Sequence, residues 1–243
     1  MQHQKIEYFA DSYKLVGELI YEGGLDNTRA VIILYHGMEG RGSFCIDYAK
    51  NLATNGFVVF VADVYGDGKS TTDFKLARAW LSPLLENRAL VRERALAAYT
   101  TVKQFAWINH YKIGAIGFCL GGMCMLEVAR SGSNLIAGVS VHGVLRQSEL
   151  ETQAITTKLM ILNGFLDPLC TPEVTEKFAD EMFNAHNYDW VLVNFGNAKH
   201  AYSDPHTGTF DAEMEKQFGR EYNRLAAQRS FRYAVDFFKE ILV

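Results

Sequence analysis

The 243-residue chain is 49% hydrophobic and 21% charged with a formal net charge of −4, the composition of a globular protein large enough to bury its core without disulfides or a metal. No block of like charges offers a footprint for nucleic acid or an acidic membrane, and no apolar run approaches the roughly 18 residues of a membrane span, so neither partner is expected. The opening MQHQKIEYFADSYK lacks the apolar core of a signal peptide, making the cytoplasm the expected compartment, and the four cysteines, Cys45, Cys119, Cys124 and Cys170, fit no zinc spacing and are expected to be thiols.

In chain order, residues 14–21 (KLVGELIY) alternate and predict an edge strand, while 30–35 (AVIILY) form the unbroken apolar run of a strand covered on both faces. A glycine-rich loop follows, His36-Gly-Met-Glu-Gly-Arg-Gly-Ser43, whose final serine is expected to cap a helix through about Asn55, stopped by Gly56. Residues 57–62 (FVVFVA) predict the next buried strand, which ends at the loop Asp63-Val-Tyr-Gly-Asp-Gly68. A helix over 73–85, broken or bent near Pro83, leads into a long helical stretch over 87–107. Beyond it come a strand over 111–116, a helix over 120–130, strands over 135–141 and 158–162, a helix over 172–185 and a last strand over 188–193. From about Phe210 to Leu242 the pattern is helical and amphipathic. Strands alternating with helices, the inner ones unbroken apolar runs, predict an α/β fold with a mostly parallel sheet flanked by helices on both faces. There is no linker, repeat or low-complexity segment, so residues 1–243 read as one domain. In such a sheet, function sits in the loops at the carboxyl ends of the strands.

Four of those loops carry unusual residues. Gly117-Phe-Cys-Leu-Gly121, with Gly122 behind it, has the form of a nucleophile elbow between a strand and a helix. Residues two away on each side must lack side chains for so tight a turn. The helix that begins at Leu120 offers unpaired N–H groups and its positive dipole end, which favour thiolate over thiol at Cys119, and the Leu120 N–H is the expected oxyanion donor. The plainer alternative is a buried structural cysteine in a glycine-rich turn. Asp167 falls just beyond the strand 158–162, where it either orients a histidine or forms an ordinary Asp-Pro turn with Pro168. His200 lies in the loop after the last strand. Cys119, Asp167 and His200 thus come in the chain order nucleophile, acid, base, each after a separate strand, as the α/β-hydrolase arrangement requires. The loop after the first buried strand is expected to supply a second oxyanion N–H from Met38, with Gly37 as the neighbour that shares the task. Glu39 either points into the site or is a solvated loop acid. Tyr65, Tyr202, His142 and Phe118 are candidate pocket lining, His142 alternatively a satisfied histidine at a strand end. Cys45, Cys124 and Cys170 read as structural, and 71–87 should lie over the site.

On Gly117-Phe-Cys-Leu-Gly-Gly122, Asp63-Val-Tyr-Gly66, Asp167-Pro168 and Asn197-Ala-Lys-His-Ala-Tyr202, the sequence resembles the dienelactone hydrolase family of α/β-hydrolases over nearly its whole length. The resemblance implies a three-layer α/β-hydrolase fold and a Cys119–His200–Asp167 triad that hydrolyses a small ester or lactone through a thioester, with no metal or organic cofactor. The chain departs from the family pattern in having Gly37 where a glutamate often stands and Asp204 where the family has a carboxylate-binding arginine; a second such arginine has a possible counterpart in Arg78. The expected partner is therefore a small ester or lactone; no feature points to a particular oligomeric state. The rival readings are a thioesterase or peptidase-like acyl hydrolase, and a non-catalytic ligand-binding member of the fold.

Overall fold

The apolar runs of the sequence become the middle of one eight-stranded sheet, ordered β1-β2-β4-β3-β5-β6-β7-β8 in a computed structural model that describes residues 1–208 and 211–243. The strands β3 (Val31–Tyr35), β4 (Val58–Ala62), β5 (Ile113–Phe118) and β6 (Ala137–Val141) are buried at every position. They run parallel, as do β7 (Lys158–Gly164) and β8 (Trp190–Phe195) beyond them. On the other side β2 (Tyr13–Tyr21) pairs antiparallel with β4, and β1 (Gln2–Ala10) pairs antiparallel with β2. The edge is therefore β1 rather than β2. Its first residues, QHQK, are polar and exposed, and only over Ile6, Tyr8 and Ala10 does it alternate toward the core, too short a run to mark a strand from sequence.

Successive residues of a strand point to opposite faces, and this divides the interior into two cores. Val31, Ile33 and Tyr35 of β3 join one core with α2 (Phe74–Glu86), α3 (Arg88–Lys103), α4 (Leu120–Arg130) and α5 (Pro172–Asn184). Ile32 and Leu34 join the other with α1 (Ser43–Thr54) and α7 (Arg224–Leu242). Among the described residues, no helix is long and apolar enough to cross a membrane.

Helix α3 stops at Lys103 rather than at 107, and three further helix readings differ from expectation for local reasons. Gly42, not Ser43, is the N-cap of α1, and no side chain caps it. Helix α2 continues through Pro83. The proline removes one backbone donor, the neighbouring Ser82 hydroxyl donates to the Arg78 carbonyl at 3.0 Å, and Leu81 and Leu84 keep both turns packed on the core. The helical pattern that starts near Phe210 begins outside the described residues. Within them it is two helices, α6 (Ala212–Gln217) and α7, because Gly219 turns the chain with φ +67° and Asn223 restarts it by accepting from the Ala226 N–H.

Helix α4 is buried along its whole length. Its last residue, Arg130, has no exposure and donates to both carboxylate oxygens of Glu181 at 2.7 Å and to Glu127 at 3.1 Å. Arg92 donates to Glu127 at 2.9 Å. A bidentate, charge-assisted anchor of this kind fixes direction as well as position, so the rear end of α4 is tied to α3 and α5 while its front end carries the elbow.

Candidate active site

The elbow is built by steric exclusion. Cys119, between β5 and α4, has φ +54° and ψ −112°, a conformation that L-residues rarely adopt and that costs about 1–3 kcal/mol. The surrounding glycines make it possible. A Cβ on Gly117 would stand 1.9 Å from the Gly121 carbonyl oxygen, and one on Gly121 would stand 2.1 Å from the Tyr35 carbonyl oxygen. Cys119 is partly exposed, whereas the other three cysteines are buried. Burial pushes the thiols of Cys45 and Cys124 well up and that of Cys170 to about 12, so these three stay protonated and inert.

His200 and Asp167 come from the loops after β8 and β7. The His200 Nδ1–H donates to Asp167 Oδ2 at 2.7 Å with both residues buried, and Asp167 Oδ1 accepts the Leu169 N–H at 2.8 Å. That bond leaves Nε2 for Cys119, whose side chain acts on the ring. Burial opposes charge on the imidazole, but neighbouring Cys119 and the hydrogen-bonded Asp167 carboxylate override it, and the His200 pKa is raised to about 10. The ring therefore holds its proton at neutral pH. His200 is also clasped by its backbone: its N–H donates to the Gly219 carbonyl at 3.0 Å and its carbonyl accepts the Glu221 N–H at 3.0 Å. The Tyr202 carbonyl accepts the Asn223 N–H at 3.0 Å just beyond.

The loop after β3 passes in front of the elbow. A Cβ on Gly37 would stand 3.8 Å from the Cys119 Cβ. Buried His36 shapes the loop: Nδ1–H donates to the Gly37 carbonyl at 2.7 Å and Nε2 accepts the Val64 N–H at 3.2 Å, with burial holding the ring neutral. Among the described residues, the N–H groups of Met38 and Leu120 donate to no protein acceptor. Tyr65 does not line the pocket; its hydroxyl lies behind the loop and donates to the Met38 carbonyl at 3.0 Å. Tyr65→Phe is expected to lower kcat several-fold, up to about tenfold, with little change in KM, because it loosens the peptide that precedes the Glu39 turn without touching substrate; steady-state kinetics on one ester checks this.

A cavity of about 440 Å³ opens over Cys119, walled by Gly37, Glu39, Phe44, Phe118, His142, His200, Asp204, His206 and Arg220 and rimmed by Ser70, Thr71 and Thr72. Only the start of the 71–87 segment thus reaches the site. Glu39 faces the cavity as the ion-pair partner of Arg220. His142 has φ +39°, bonds through Nε2 to the Ser203 hydroxyl at 2.8 Å, and is held well below the usual histidine range by burial and by His200. Two further residues do not reach the cavity. Tyr202 is fully buried with its hydroxyl on the Leu162 carbonyl at 3.1 Å, so it packs behind His142. The Arg78 guanidinium lies 4.4 Å over the Phe218 ring. The cation in the wall is Arg220, from the turn between α6 and α7, which sequence reasoning passed over inside a helical span; the one local signal was Gly219. Among the described residues, no group of three His, Cys, Asp or Glu side chains is arranged to hold a metal ion.

The dienelactone hydrolase family profile matches residues 21–242. The chain belongs to the dienelactone hydrolase family. A solved structure titled a dienelactone hydrolase-like promiscuous phosphotriesterase, from metagenomic libraries, is 28% identical with a TM-score of 0.90, covering 100% of this chain and 99% of that one. A carboxymethylenebutenolidase homolog from Mus musculus is 31% identical over 104 residues, 42% of this chain and 41% of the mouse protein. A probable 2-oxo-3-(5-oxofuran-2-ylidene)propanoate lactonase from Bradyrhizobium is 22% identical over 71% of this chain and 73% of its own. As a dienelactone hydrolase family member the chain is a hydrolase of the α/β-hydrolase fold, and its family's substrates are of the ester and lactone type.

Proposed function

We propose that this protein hydrolyses a small ester or lactone by thiol acyl transfer, with Cys119 as nucleophile, His200 as acid–base and Asp167 as the group that orients His200. The observation that carries the reading is the buried Asp167–His200 hydrogen bond in a cavity that His200 shares with a strained, partly exposed Cys119. In this reading the Cys119 sulfur attacks the substrate carbonyl, the oxyanion forms against the free N–H groups of Leu120 and Met38, and the His200 Nε2–H protonates the departing alkoxide. The imidazole, now neutral, takes a proton from water as that water attacks the thioester, and the carboxylic acid leaves. Asp167 keeps the ring in the tautomer both steps need. A thioesterase or peptidase-like role would use the same groups, and a non-catalytic binding role would leave the strained thiol without a purpose.

Rapid quenching of the enzyme with 4-nitrophenyl acetate is expected to give a burst of nitrophenolate and an acetyl group on the peptide that contains Cys119, seen by mass spectrometry. Turnover without any Cys119 adduct, or acetylation elsewhere, would assign the nucleophile to another residue.

A further inference from the structure

The cavity wall has an unbalanced charge. Arg220 is committed to Glu39, and the Glu215 carboxylate lies 3.9 Å from the same guanidinium. Asp204 is the remaining acid on the wall, with only 5% of its surface exposed. Its Oδ1 accepts both the His206 N–H at 2.8 Å and His206 Nδ1 at 3.0 Å, leaving Oδ2 without a hydrogen-bond partner among the described residues. Burial raises the Asp204 pKa and the Glu39 charge adds to it, while the bonds from His206 oppose both. A buried carboxylate with an open oxygen and an acid for a neighbour is stabilised by an arriving cation and further destabilised by an arriving anion. The wall across the floor is aromatic: Phe44 and Phe118 both line the cavity, with ring centroids 4.9 Å apart. An aromatic lining suits an ammonium group better than a carboxylate.

We propose that this cavity selects ammonium-bearing esters or lactones and rejects carboxylate-bearing ones, with Asp204 as the specificity-determining residue. This names the substrate class of the hydrolytic site and rests on the reading above. The charge of a His200 imidazolium beside Cys119 does not reverse the balance, because the Cys119 sulfur and Asp167 face it. Arg220 pairs through Nη2 with Glu39, and its unpartnered Nε is buried rather than presented to the cavity.

The test has two arms. In the first, Cys119 is modified by three methanethiosulfonates that carry a trimethylammonioethyl, a methyl or a sulfonatoethyl group, each rate being divided by that of the reagent with free cysteine; a Cys119→Ser variant identifies the modified peptide. The cationic reagent is expected to react about tenfold or more faster than the anionic one, and Asp204→Asn, which keeps an oxygen for the His206 N–H, is expected to remove most of that ratio. Should Asp204→Asn fail to fold, Asp204→Ser, which also keeps a local acceptor, takes its place. In the second arm, 4-nitrophenyl esters with matched acyl chains ending in trimethylammonium, tert-butyl or carboxylate are compared by kcat/KM, together with the set charged on the alcohol. The cation-to-neutral and neutral-to-anion ratios should both exceed one and fall in Asp204→Asn, a readout that a general loss of activity does not move. Equal rates, or a preference for the anion, in wild type overturn the proposal. Charge-selective modification with no turnover of any ester supports the charge assignment and overturns the hydrolytic reading; turnover with no charge preference does the reverse.

Discussion

Replacing Cys119 with alanine is expected to lower the turnover of 4-nitrophenyl acetate by about 10⁴-fold or more, to the level that the oxyanion donors and binding alone sustain. The loss should be nearly complete because no other thiol can substitute: Cys45, Cys124 and Cys170 are buried and held protonated. The fold should be indifferent, since alanine is smaller than cysteine and meets the same left-handed backbone, so the melting temperature should move by only a few degrees. Serine at the same place should restore little. A hydroxyl is a far weaker acid than a thiol, so the imidazole would have to begin as a base that draws the proton off rather than as an acid. Kinetics and thermal melts on the two variants check both halves. An alanine variant that kept full activity would remove Cys119 from the mechanism.

The second large effect is on stability. Gly121→Ala would place a methyl carbon 2.1 Å from the Tyr35 carbonyl oxygen, and Gly117→Ala would place one 1.9 Å from the Gly121 carbonyl oxygen. Both clashes are with backbone, so no rotamer change relieves them, and both lie inside fully buried segments. Relief requires parting β3, β5 and α4, the centre of the molecule. A loss of roughly 4 kcal/mol or more is expected for either, in the exceptional tail for single substitutions, which corresponds to a fall in melting temperature of roughly 10 °C for a chain of this size. Gly24→Ala is the matched control: nothing lies within 4 Å of the added carbon and its φ is ordinary, so its melting temperature should stay within about a degree or two. Equal melting temperatures for the Gly121 and Gly24 variants would contradict the elbow geometry.

The elbow was legible in the sequence because it is local. A strand, a two-residue gap, a thiol and a helix are all set by residues within a few positions of one another, and α4 begins and ends where periodicity places it. Asp167 and His200 were legible for a different reason: each follows an apolar run, and parallel strands deliver such residues to one edge of the sheet. The same rule is silent on where a side chain turns once it leaves the strand. Tyr65 and Tyr202 sit at the right edge but face inward to carbonyls of Met38 and Leu162, and Arg78 stacks on Phe218. Arg220 was hidden because its partner Glu39 is 181 residues away and because its neighbours continue an amphipathic pattern. β1 was hidden because only its last residues alternate, Tyr8 and Ala10 buried behind the polar, exposed QHQK.

The backbone clasp at His200 has one more consequence. The bonds that join His200 to Gly219 and Glu221, and Tyr202 to Asn223, tie the two ends of the segment 201–219 together at its base. Asp204 and His206 lie between those ends, whereas His200 is fixed at the knot. The entropy of closing such a loop grows only slowly with its length. Insertions and substitutions beyond the knot can therefore redraw the wall of the cavity while the Asp167–His200 pair stays as it is.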